Sequence, residues 1–384
     1  MSCSGDAGTG GVQQVFRDLI RALENDLRHV HLLYQAPLPR VRLTQSANTW
    51  GRQAFFCPMP TLVKNSVVLG IAVSLVYVPI ALFHLVRLLR RKKIDVINCH
   101  YLAEYFIHLV IAGRLLGLPV VISVHGADID RYARASRAQR FLLRLAMRGA
   151  HQIVACSQAQ ARQTSRVFPA AGAKVTHVHN GLDLAGFARL QGAASMSSPF
   201  VLSVCRQVDK KGIDTLLRAF ALLDRDFPEL ALFIIGDGPA LEQNRALART
   251  LGIDRRVTFM GDMARPRVLS YVSACTLFVV PSRAEPFGLV VLEAAYYKKA
   301  MVCTRVGGIP EIVTDNVSAF LVEADDHAAM ASKMAILLRD PDLAARFGQR
   351  AHEVLLARFR WEERVKDYIA VYEGASAPFR VRTA

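Results

Sequence analysis

The sequence contains at residues 277–293 the stretch Leu277-Phe-Val-Val-Pro281-Ser-Arg-Ala-Glu285-Pro-Phe-Gly288-Leu-Val-Val-Leu-Glu293. Its first residues form an apolar run, which is typical of a strand buried on both faces of a parallel sheet. A loop follows, and from Gly288 the pattern predicts a helix. Two carboxylates lie eight residues apart, one on the loop and one in the helix, and the glycine between them lets a ligand approach the backbone. Such a pair on its own is usually two surface carboxylates, so only the rest of the chain can indicate whether it forms a functional site.

The same alternation of short apolar runs and helical patterns occurs twice along the chain. The predicted strands of the first half are Ile94–His100, Val120–His125, His151–Ser157 and Lys174–Asn180. Those of the second half are Phe200–Cys205, Leu232–Gly236, Val257–Gly261, Leu277–Pro281, Met301–Thr304 and Ala319–Val322. Helical stretches such as Asp214–Asp224 and Ala328–Leu338 lie between them.

This pattern predicts an α/β protein of two Rossmann-like domains, whose parallel sheets face each other across a cleft. We expect an N-terminal domain over residues 1–190, a linker over 191–199, a C-terminal domain over 200–360 and a final helix over 361–384. Ligands are expected at the carboxyl ends of the strands.

Composition excludes several classes of protein. Hydrophobic residues make up 52% of the chain and charged residues 21%, which excludes extensive disorder. The seven cysteines include no C-x-x-C pair, which argues against a disulfide framework or a zinc ribbon and favours a reducing compartment. The first residues are polar, so no signal peptide is expected. No P-loop, H-E-x-x-H or G-x-S-x-G motif supports a kinase or a hydrolase.

Positive charge is concentrated in the first half of the chain. Residues 1–190 contain 23 Lys and Arg against 9 Asp and Glu, whereas residues 191–384 contain 25 against 23. This asymmetry indicates an anionic partner for the first domain. A nucleic acid is not expected, because no nucleic-acid motif or basic tail with interleaved aromatics is present.

An apolar segment points to a membrane surface as that partner. Residues 65–86 contain no Lys, Arg, Asp or Glu, and the basic cluster Arg87, Arg90, Arg91, Lys92 and Lys93 follows directly. Pro79 splits the segment into two pieces too short to cross a bilayer, so we expect a helix pair that contacts the membrane over about residues 65–93. A plain core helix and a true span remain alternatives. A second basic face, Arg137, Arg140, Arg144 and Arg148 beside apolar positions, supports the surface interpretation.

Further motifs accompany the paired glutamates in a fixed order along nearly the whole chain. They are Gly10-Gly11-Val12, Asn180-Gly181-Leu-Asp183, Arg206-Gln-Val-Asp-Lys-Lys211-Gly212, Ile235-Gly236-Asp-Gly238-Pro239, Val257-Thr-Phe-Met-Gly261, Val306-Gly-Gly-Ile-Pro-Glu311 and Phe359-Arg-Trp361. Together they resemble the retaining GT-B glycosyltransferases, specifically glycosyltransferase family 4. The segment Glu285–Glu293 is similar to that family's E-x7-E motif.

The resemblance implies roles for individual residues. Arg206 and Lys211 would bind the donor diphosphate, helped by backbone N–H groups near Gly10 and Gly11. Glu293 would hold the ribose and Glu285 the donor sugar. The remaining donor contacts would be backbone N–H groups of Phe287, Gly288 and Leu289, with the base near Met260.

His125 would face the donor sugar and acceptor, because the family has a His-Gly at this strand end. We expect it to stabilise an oxocarbenium-like transition state or to position the acceptor, with His100 as a weaker acceptor-side candidate. The catalytic set is therefore His125, Glu285, Arg206 and Lys211. We expect no cofactor and no metal, and attribute the D-x-D sequence of Asp128 and Asp130 to chance. In the family the final helix returns to the N-terminal domain. The apolar strand that usually precedes the Gly-Gly loop is expected to be missing, since only polar residues precede Gly10.

The function implied is metal-independent, retaining transfer of a hexose from a UDP- or GDP-linked donor. The acceptor would be lipid-linked or a glycan at the cytoplasmic membrane face, in polysaccharide or glycolipid biosynthesis. Two alternatives remain: a GT-B epimerase or phosphorylase, and a non-catalytic nucleotide-binding protein.

Overall fold

A computed structural model describes residues 2–3, 11–27, 29–35, 42–47, 53–57, 59, 67–188 and 199–380. The chain divides into two compact units. Unit 1 comprises residues 1–179 and 364–384, and unit 2 comprises residues 180–363.

Unit 1 is built on an eight-stranded sheet with the order β3-β4-β2-β1-β5-β6-β7-β8. All neighbours are parallel except the edge pair β3 and β4. The inner strands β5 and β6 are buried along their whole length, as expected for a sheet covered on both faces. The strands are β1 (Ser2–Cys3), β2 (Leu32–Gln35), β3 (Thr44–Ala47), β4 (Gln53–Cys57), β5 (Ile97–His100), β6 (Val120–Val124), β7 (Gln152–Ala155) and β8 (Val175–His177).

The helices of unit 1 begin and end where local chemistry favours it. A capping box formed by Ser136 and Gln139 starts α5, and Gly117 in a left-handed conformation ends α3. The helices are α1 (Gly11–Asp26), α2 (Val67–Arg91), α3 (Phe106–Leu116), α4 (Ala127–Arg134), α5 (Arg137–Gly149) and α6 (Gln158–Val167).

Unit 2 contains a six-stranded, all-parallel sheet with the order β11-β10-β9-β12-β13-β14. Its strands are β9 (Phe200–Val204), β10 (Ala231–Ile235), β11 (Val257–Phe259), β12 (Leu277–Val280), β13 (Met301–Thr304) and β14 (Phe320–Val322). Its helices are α7 (Leu184–Ala188), α8 (Ile213–Ala221), α9 (Leu241–Thr250), α10 (Arg265–Ala274), α11 (Leu289–Tyr296), α12 (Ile309–Ile312), α13 (His327–Arg339) and α14 (Pro341–Arg358). Helix α15 (Trp361–Arg380) follows, and its residues from Arg364 onward group with unit 1.

Every strand predicted from the sequence has a counterpart, with ends that differ by up to three residues. The expectation of a missing first strand is wrong, because Ser2–Cys3 forms β1 between β2 and β5. Two residues suffice there because partners on both sides supply the hydrogen bonds. Sequence reasoning also missed β2, β3 and β4, which lie toward one edge of the sheet.

The boundary between the units falls at Asn180, ahead of the expected linker. Residues 180–188 belong to unit 2 because the backbone N–H of Leu182 donates to the Phe359 carbonyl, and that of Trp361 donates to the Leu182 carbonyl. Of the expected linker 191–199, all but Pro199 lies outside the described residues.

The apolar segment is not a helix pair, which corrects the expectation from Pro79. Helix α2 is continuous over 25 residues with Pro79 inside it. Pro79 is exposed, so the hydrogen bond that it removes costs less than it would in the core. Ala81, Leu85 and Leu88 of the same helix are buried in the core of unit 1. Within the described residues, no helix is both long and apolar enough to cross a membrane.

A glycine fixes the loop after β9 against the loop after β12. Gly212 has a φ of +62°, and a Cβ added there would lie 2.1 Å from the Pro281 carbonyl oxygen. Gly252 has a similar φ of +71°, but no heavy atom lies within 4 Å of the equivalent position. A side chain at Gly252 would therefore meet backbone strain alone, whereas a side chain at Gly212 would meet both backbone strain and steric overlap.

We predict that Gly252→Ala lowers the free energy of unfolding by about 1 kcal/mol, from left-handed strain alone. Gly212→Ala should lower the free energy of unfolding by ~1–3 kcal/mol more than Gly252→Ala does, because the backbone must move to accommodate the methyl group. Urea unfolding of both variants tests this. Equal losses would show that the two loops do not approach as closely as described.

Candidate active site

The order of strands in unit 2 reverses between β9 and β12, which is the topological switch point where open α/β sheets bind ligands. Arg206 and Lys211 lie in the loop after β9, and Glu285 lies in the loop after β12. The sequence-predicted diphosphate and sugar residues therefore lie at one end of two adjacent strands.

Lys211 and Glu285 form a close ion pair there. The Lys211 Nζ lies 2.5 Å from a Glu285 carboxylate oxygen, and only 17% and 12% of the two side chains are exposed. Burial acts to lower the pKa of Lys211, but the charge and hydrogen bond of Glu285 outweigh it and raise that pKa above its ordinary value. Lys211 is thus held as a cation in a largely dry position.

Backbone hydrogen bonds hold the two loops together around this pair. The Lys210 carbonyl accepts hydrogen bonds from the N–H groups of Arg283 and Ala284, at 2.8 and 3.2 Å. The Gly308 N–H donates to the Glu285 carbonyl at 3.0 Å. A Cβ at Gly307, where φ is +54°, would lie 1.7 Å from that carbonyl oxygen, so the loop after β13 can pack here only with glycine.

The second glutamate of the motif occupies a different environment. Glu293 is buried in α11 and forms a 2.8 Å salt bridge with Arg265, at the start of α10. Burial raises the pKa of Glu293, although Arg265 acts in the opposite direction. The Arg265 guanidinium also lies 5.0 Å from the centre of the Phe187 ring. A buried carboxylate held in this way can accept hydrogen bonds from hydroxyl groups.

The other donor-binding candidates lie on the same end of the unit 2 sheet. Gly288 has a φ of +110° and is the N-cap of α11, with no side chain capping the first turn. The Phe287 side chain is buried, so only its backbone can face a ligand, and Leu289 opens the helix. Met260 follows β11, and its N–H donates to the Ile234 carbonyl at 2.9 Å. Arg206 is exposed and, within the described part of the chain, forms no salt bridge with Asp209.

In unit 1 the strand order reverses between β1 and β5, and the candidate histidines lie at the neighbouring strand ends. His100 ends β5 and His125 follows β6. Both are buried, and the His100 Nδ1 lies 3.2 Å from the His125 Nε2. Gly10 lies outside the described residues, and Gly11 is the first residue of α1.

Asp128 of the D-x-D sequence anchors the turn after His125. Its buried carboxylate accepts hydrogen bonds from the backbone N–H groups of Leu102, His125 and Ile129, at 3.0–3.1 Å. This carboxylate is therefore engaged in holding the chain, whereas Asp130 is exposed. Among the described residues no group of three or more His, Cys, Asp or Glu is arranged to hold a metal ion.

Sequence reasoning missed Arg265 and the buried Gln207. The Gln207 side chain donates to the Gly236 carbonyl at 3.0 Å and accepts from Asn244 at 2.9 Å, joining the loop after β9 to the loop after β10 and to α9. No spacing rule connects positions 265 and 293, or 207 and 244, because both contacts depend on tertiary packing.

We predict that Glu285→Gln moves the pKa of Lys211 from above its ordinary value of 10.5 to below it. The opposing charge is then lost while the burial remains. NMR titration of isotopically labelled lysine side chains measures this. In the wild type, the raised folded-state pKa means that the stabilisation is complete below about pH 10.5 and disappears as the pH rises through the folded-state value.

The matched control for that titration is Glu229→Gln, which removes an exposed carboxylate elsewhere in unit 2. It should leave the pKa of Lys211 unchanged. A pKa that stays above 10.5 in Glu285→Gln would contradict the close pairing.

Comparison with known proteins identifies the family. The model for Glycosyltransferase Family 4 matches residues 9–185, and that for glycosyl transferases group 1 matches residues 188–354. D-inositol 3-phosphate glycosyltransferase 1 of Catenulispora acidiphila is 33% identical over 306 residues, which are 73% of this chain and 72% of that protein.

Solved structures show the same fold at low sequence identity. The sucrose-phosphate synthase of Thermosynechococcus elongatus has a TM-score of 0.71 and 22% identity, covering 96% of this chain and 94% of its own. HepE of Anabaena, in complex with UDP and glucose, has a TM-score of 0.71 and 19% identity over 96% and 98% of the two chains. The sequence, the motifs and the fold therefore agree that this chain belongs to the GT4-like glycosyltransferases, which have the GT-B fold of two Rossmann-like domains.

Proposed function

We propose that this glycosyltransferase moves a hexose, with retention of configuration and without a metal, from a nucleotide diphosphate to an acceptor at the cytoplasmic membrane face. The observation that carries the proposal is the largely buried Lys211–Glu285 pair at the switch point of unit 2. A fixed cation beside a carboxylate suits a ligand that joins a diphosphate to a sugar, because the cation can attract phosphate oxygens while the carboxylate accepts from hydroxyl groups.

The donor is assigned to unit 2 residue by residue. Arg206 and Lys211 hold the diphosphate, and Glu285 accepts from hydroxyl groups of the sugar with the backbone N–H groups of Phe287, Gly288 and Leu289 nearby. Glu293 accepts from the ribose hydroxyls, and its salt bridge with Arg265 orients it for that task and favours the ionised form against the effect of burial. The base lies near Met260. The UDP complex of HepE favours uridine over guanosine in this proposal.

The reaction breaks the bond between the anomeric carbon and the diphosphate. Arg206 and Lys211 stabilise the negative charge that develops on the leaving group, which is the largest contribution that such a site can make. The departing diphosphate oxygen takes the proton of the acceptor hydroxyl, which attacks from the same face and so retains the α-configuration. His125 stabilises the oxocarbenium-like transition state or positions the acceptor.

Metal independence is proposed on two grounds. Leaving-group charge is neutralised by two side-chain cations, and the Asp128 carboxylate is engaged by three backbone N–H groups. Sugar transfer should therefore persist when a metal chelator is added to the assay.

The membrane surface is assigned to a basic-apolar face on unit 1, where α3 packs between α2 and α5. Large apolar side chains are exposed there, with Phe83, Leu115 and Phe141 each at least 60% exposed. Arg87, Arg90 and Arg91 surround a shallow groove of about 680 Å³ beside Leu82, Phe83, Val86 and Leu115. Exposed apolar groups bordered by arginines suit the interface of an anionic bilayer, where the rings enter the acyl boundary and the guanidinium groups meet phosphates.

A soluble acceptor is the second candidate. The Catenulispora relative is named for D-inositol 3-phosphate, so a phosphorylated polyol is an acceptor to test beside lipid-linked ones. The donor site proposed in unit 2 would serve either acceptor.

We predict that purified protein releases nucleotide diphosphate from a UDP- or GDP-hexose only when an acceptor is present. Lys211→Met should lower kcat/KM by about 10²–10³-fold, because a preorganised charge on the leaving group is lost. Glu285→Gln should have a comparable effect. Arg255→Met and Glu229→Gln, which change exposed residues of unit 2, should stay within about twofold of wild type.

The products separate the alternatives. A new α-linked glycoside supports the proposal, and a β-linked one contradicts retention. Interconversion of nucleotide sugars without an acceptor indicates an epimerase, and a requirement for orthophosphate indicates a phosphorylase. Tight nucleotide binding without turnover indicates a non-catalytic protein.

We predict that the triple variant Arg87→Gln, Arg90→Gln, Arg91→Gln binds vesicles rich in phosphatidylglycerol about 100-fold more weakly than wild type. Each arginine near an anionic surface contributes about 1 kcal/mol. The control is Arg218→Gln, Arg225→Gln, Arg255→Gln, which removes the same charge from exposed positions of unit 2. Equal binding by the two triple variants in vesicle sedimentation would contradict the assigned face.

A further inference from the structure

A buried hydrogen-bonded chain in unit 1 ends at His125. The Asn98 Nδ2 lies 2.5 Å from the Tyr372 hydroxyl and 3.0 Å from the His100 Nε2. The Ser123 hydroxyl donates to the Asn98 Oδ1 at 3.0 Å. The His100 Nδ1 then lies 3.2 Å from the His125 Nε2. All five residues are buried, so these groups exchange hydrogen bonds with one another rather than with water.

The chain has a direction, which the Asn98 amide sets. Its NH₂ group donates to both Tyr372 and His100, while its oxygen accepts from Ser123. Because the His100 Nε2 accepts, its ring hydrogen must be on Nδ1, from which it donates to the His125 Nε2. The hydrogen of a neutral His125 must then be on its own Nδ1.

Two tyrosines of α15 form hydrogen bonds at this end of the chain. Tyr368 and Tyr372 are four residues apart, so their side chains lie on the same face of the helix. Tyr372 bonds to Asn98 directly, and Tyr368 bonds to Ser123. Helix α15 is thus connected by hydrogen bonds to the end of β6, directly before His125.

His125 is fixed from its backbone as well as from its ring. The Asp128 carboxylate accepts from the His125 backbone N–H at 3.1 Å. Burial lowers the pKa of His100 and of His125, so both rings are neutral near pH 7 and their tautomers are defined. His100 is edge-on to the Phe16 ring, 5.0 Å between centres, which restricts its rotation.

We propose that His100 is a positioning residue that sets the tautomer of His125, and that Asn98, which is hydrogen-bonded to Tyr372, sets the tautomer of His100. His125 would then present Nδ1–H as a hydrogen-bond donor and keep its Nε2 occupied. The effect on turnover rests on the proposed function of His125, whereas the tautomers themselves do not.

The direct test is an NMR spectrum of ¹⁵N-histidine-labelled protein at pH 7.5, in which the two ring nitrogens of each neutral histidine are distinguished. Two other histidines of unit 1 serve as internal references. The His108 Nδ1 lies 2.8 Å from the Tyr105 carbonyl and must carry hydrogen, whereas the His151 Nδ1 accepts from the Val120 N–H at 3.0 Å and must not. The expected result is Nδ1–H for both His100 and His125. Nε2–H at either one would overturn the proposal.

Two variants test the coupling. His100→Met removes the donor, so His125 should change from pure Nδ1–H to a mixture of tautomers. Tyr372→Phe removes one hydroxyl and should shift the ring nitrogens of both His100 and His125. The matched control is Tyr132→Phe, whose hydroxyl in the same unit bonds to Arg144 instead, and it should shift neither. Unchanged His125 signals in His100→Met, or unchanged His100 and His125 signals in Tyr372→Phe, would overturn the coupling.

Kinetics separate this inference from the proposed function. His100→Met should lower kcat about 10- to 100-fold, the range for residues that orient an imidazole, with the donor KM within about threefold. A loss in donor KM alone would overturn the positioning role. If the wild type transfers no sugar, the proposed function fails, while the wild-type spectrum still decides the tautomers without any variant.

Discussion

The ion pair between Lys211 and Glu285 is the interaction on which the candidate site depends. It joins the loops after two strands that are neighbours in the sheet, and its two residues are 74 positions apart in sequence. Breaking such a pair from one side leaves a partly buried charge without compensation, which costs far more than the pair itself contributes. A diphosphate that reaches Lys211 therefore meets a cation whose position and charge are already fixed.

Glycines make this arrangement possible, since the loops touch through their backbones. At Gly212 and Gly307, any side chain would overlap a carbonyl oxygen of the neighbouring loop. Unit 1 is also held together at its strand ends. The Asp128 carboxylate accepts hydrogen bonds from backbone N–H groups, and a buried series of hydrogen bonds fixes the rings of His100 and His125. Both halves of the molecule thus hold their candidate groups rigidly at strand ends, which is how preorganised electrostatic catalysis works.

Much of this was predictable from the sequence, and the failures have physical causes. The buried strands and the E-x7-E loop were found because apolar runs and a glycine between carboxylates are local signals. The strand Ser2–Cys3 was not, because two polar residues carry no periodicity and pair only through their neighbours. Pro79 predicts a break between two helices, yet α2 continues through it because it lies on the exposed side of the helix. The Arg265–Glu293 pair arises from packing of two helices, which no spacing in one sequence reveals.

A crystal structure of the protein with a nucleoside diphosphate and the hexose would show whether the donor binds at the Lys211–Glu285 pair. We expect the β-phosphate to contact Lys211 and Arg206 at the carboxyl ends of β9 and β12. The ribose should contact Glu293 and the sugar should contact Glu285. A diphosphate bound elsewhere, with the Lys211–Glu285 pair untouched, would contradict this expectation.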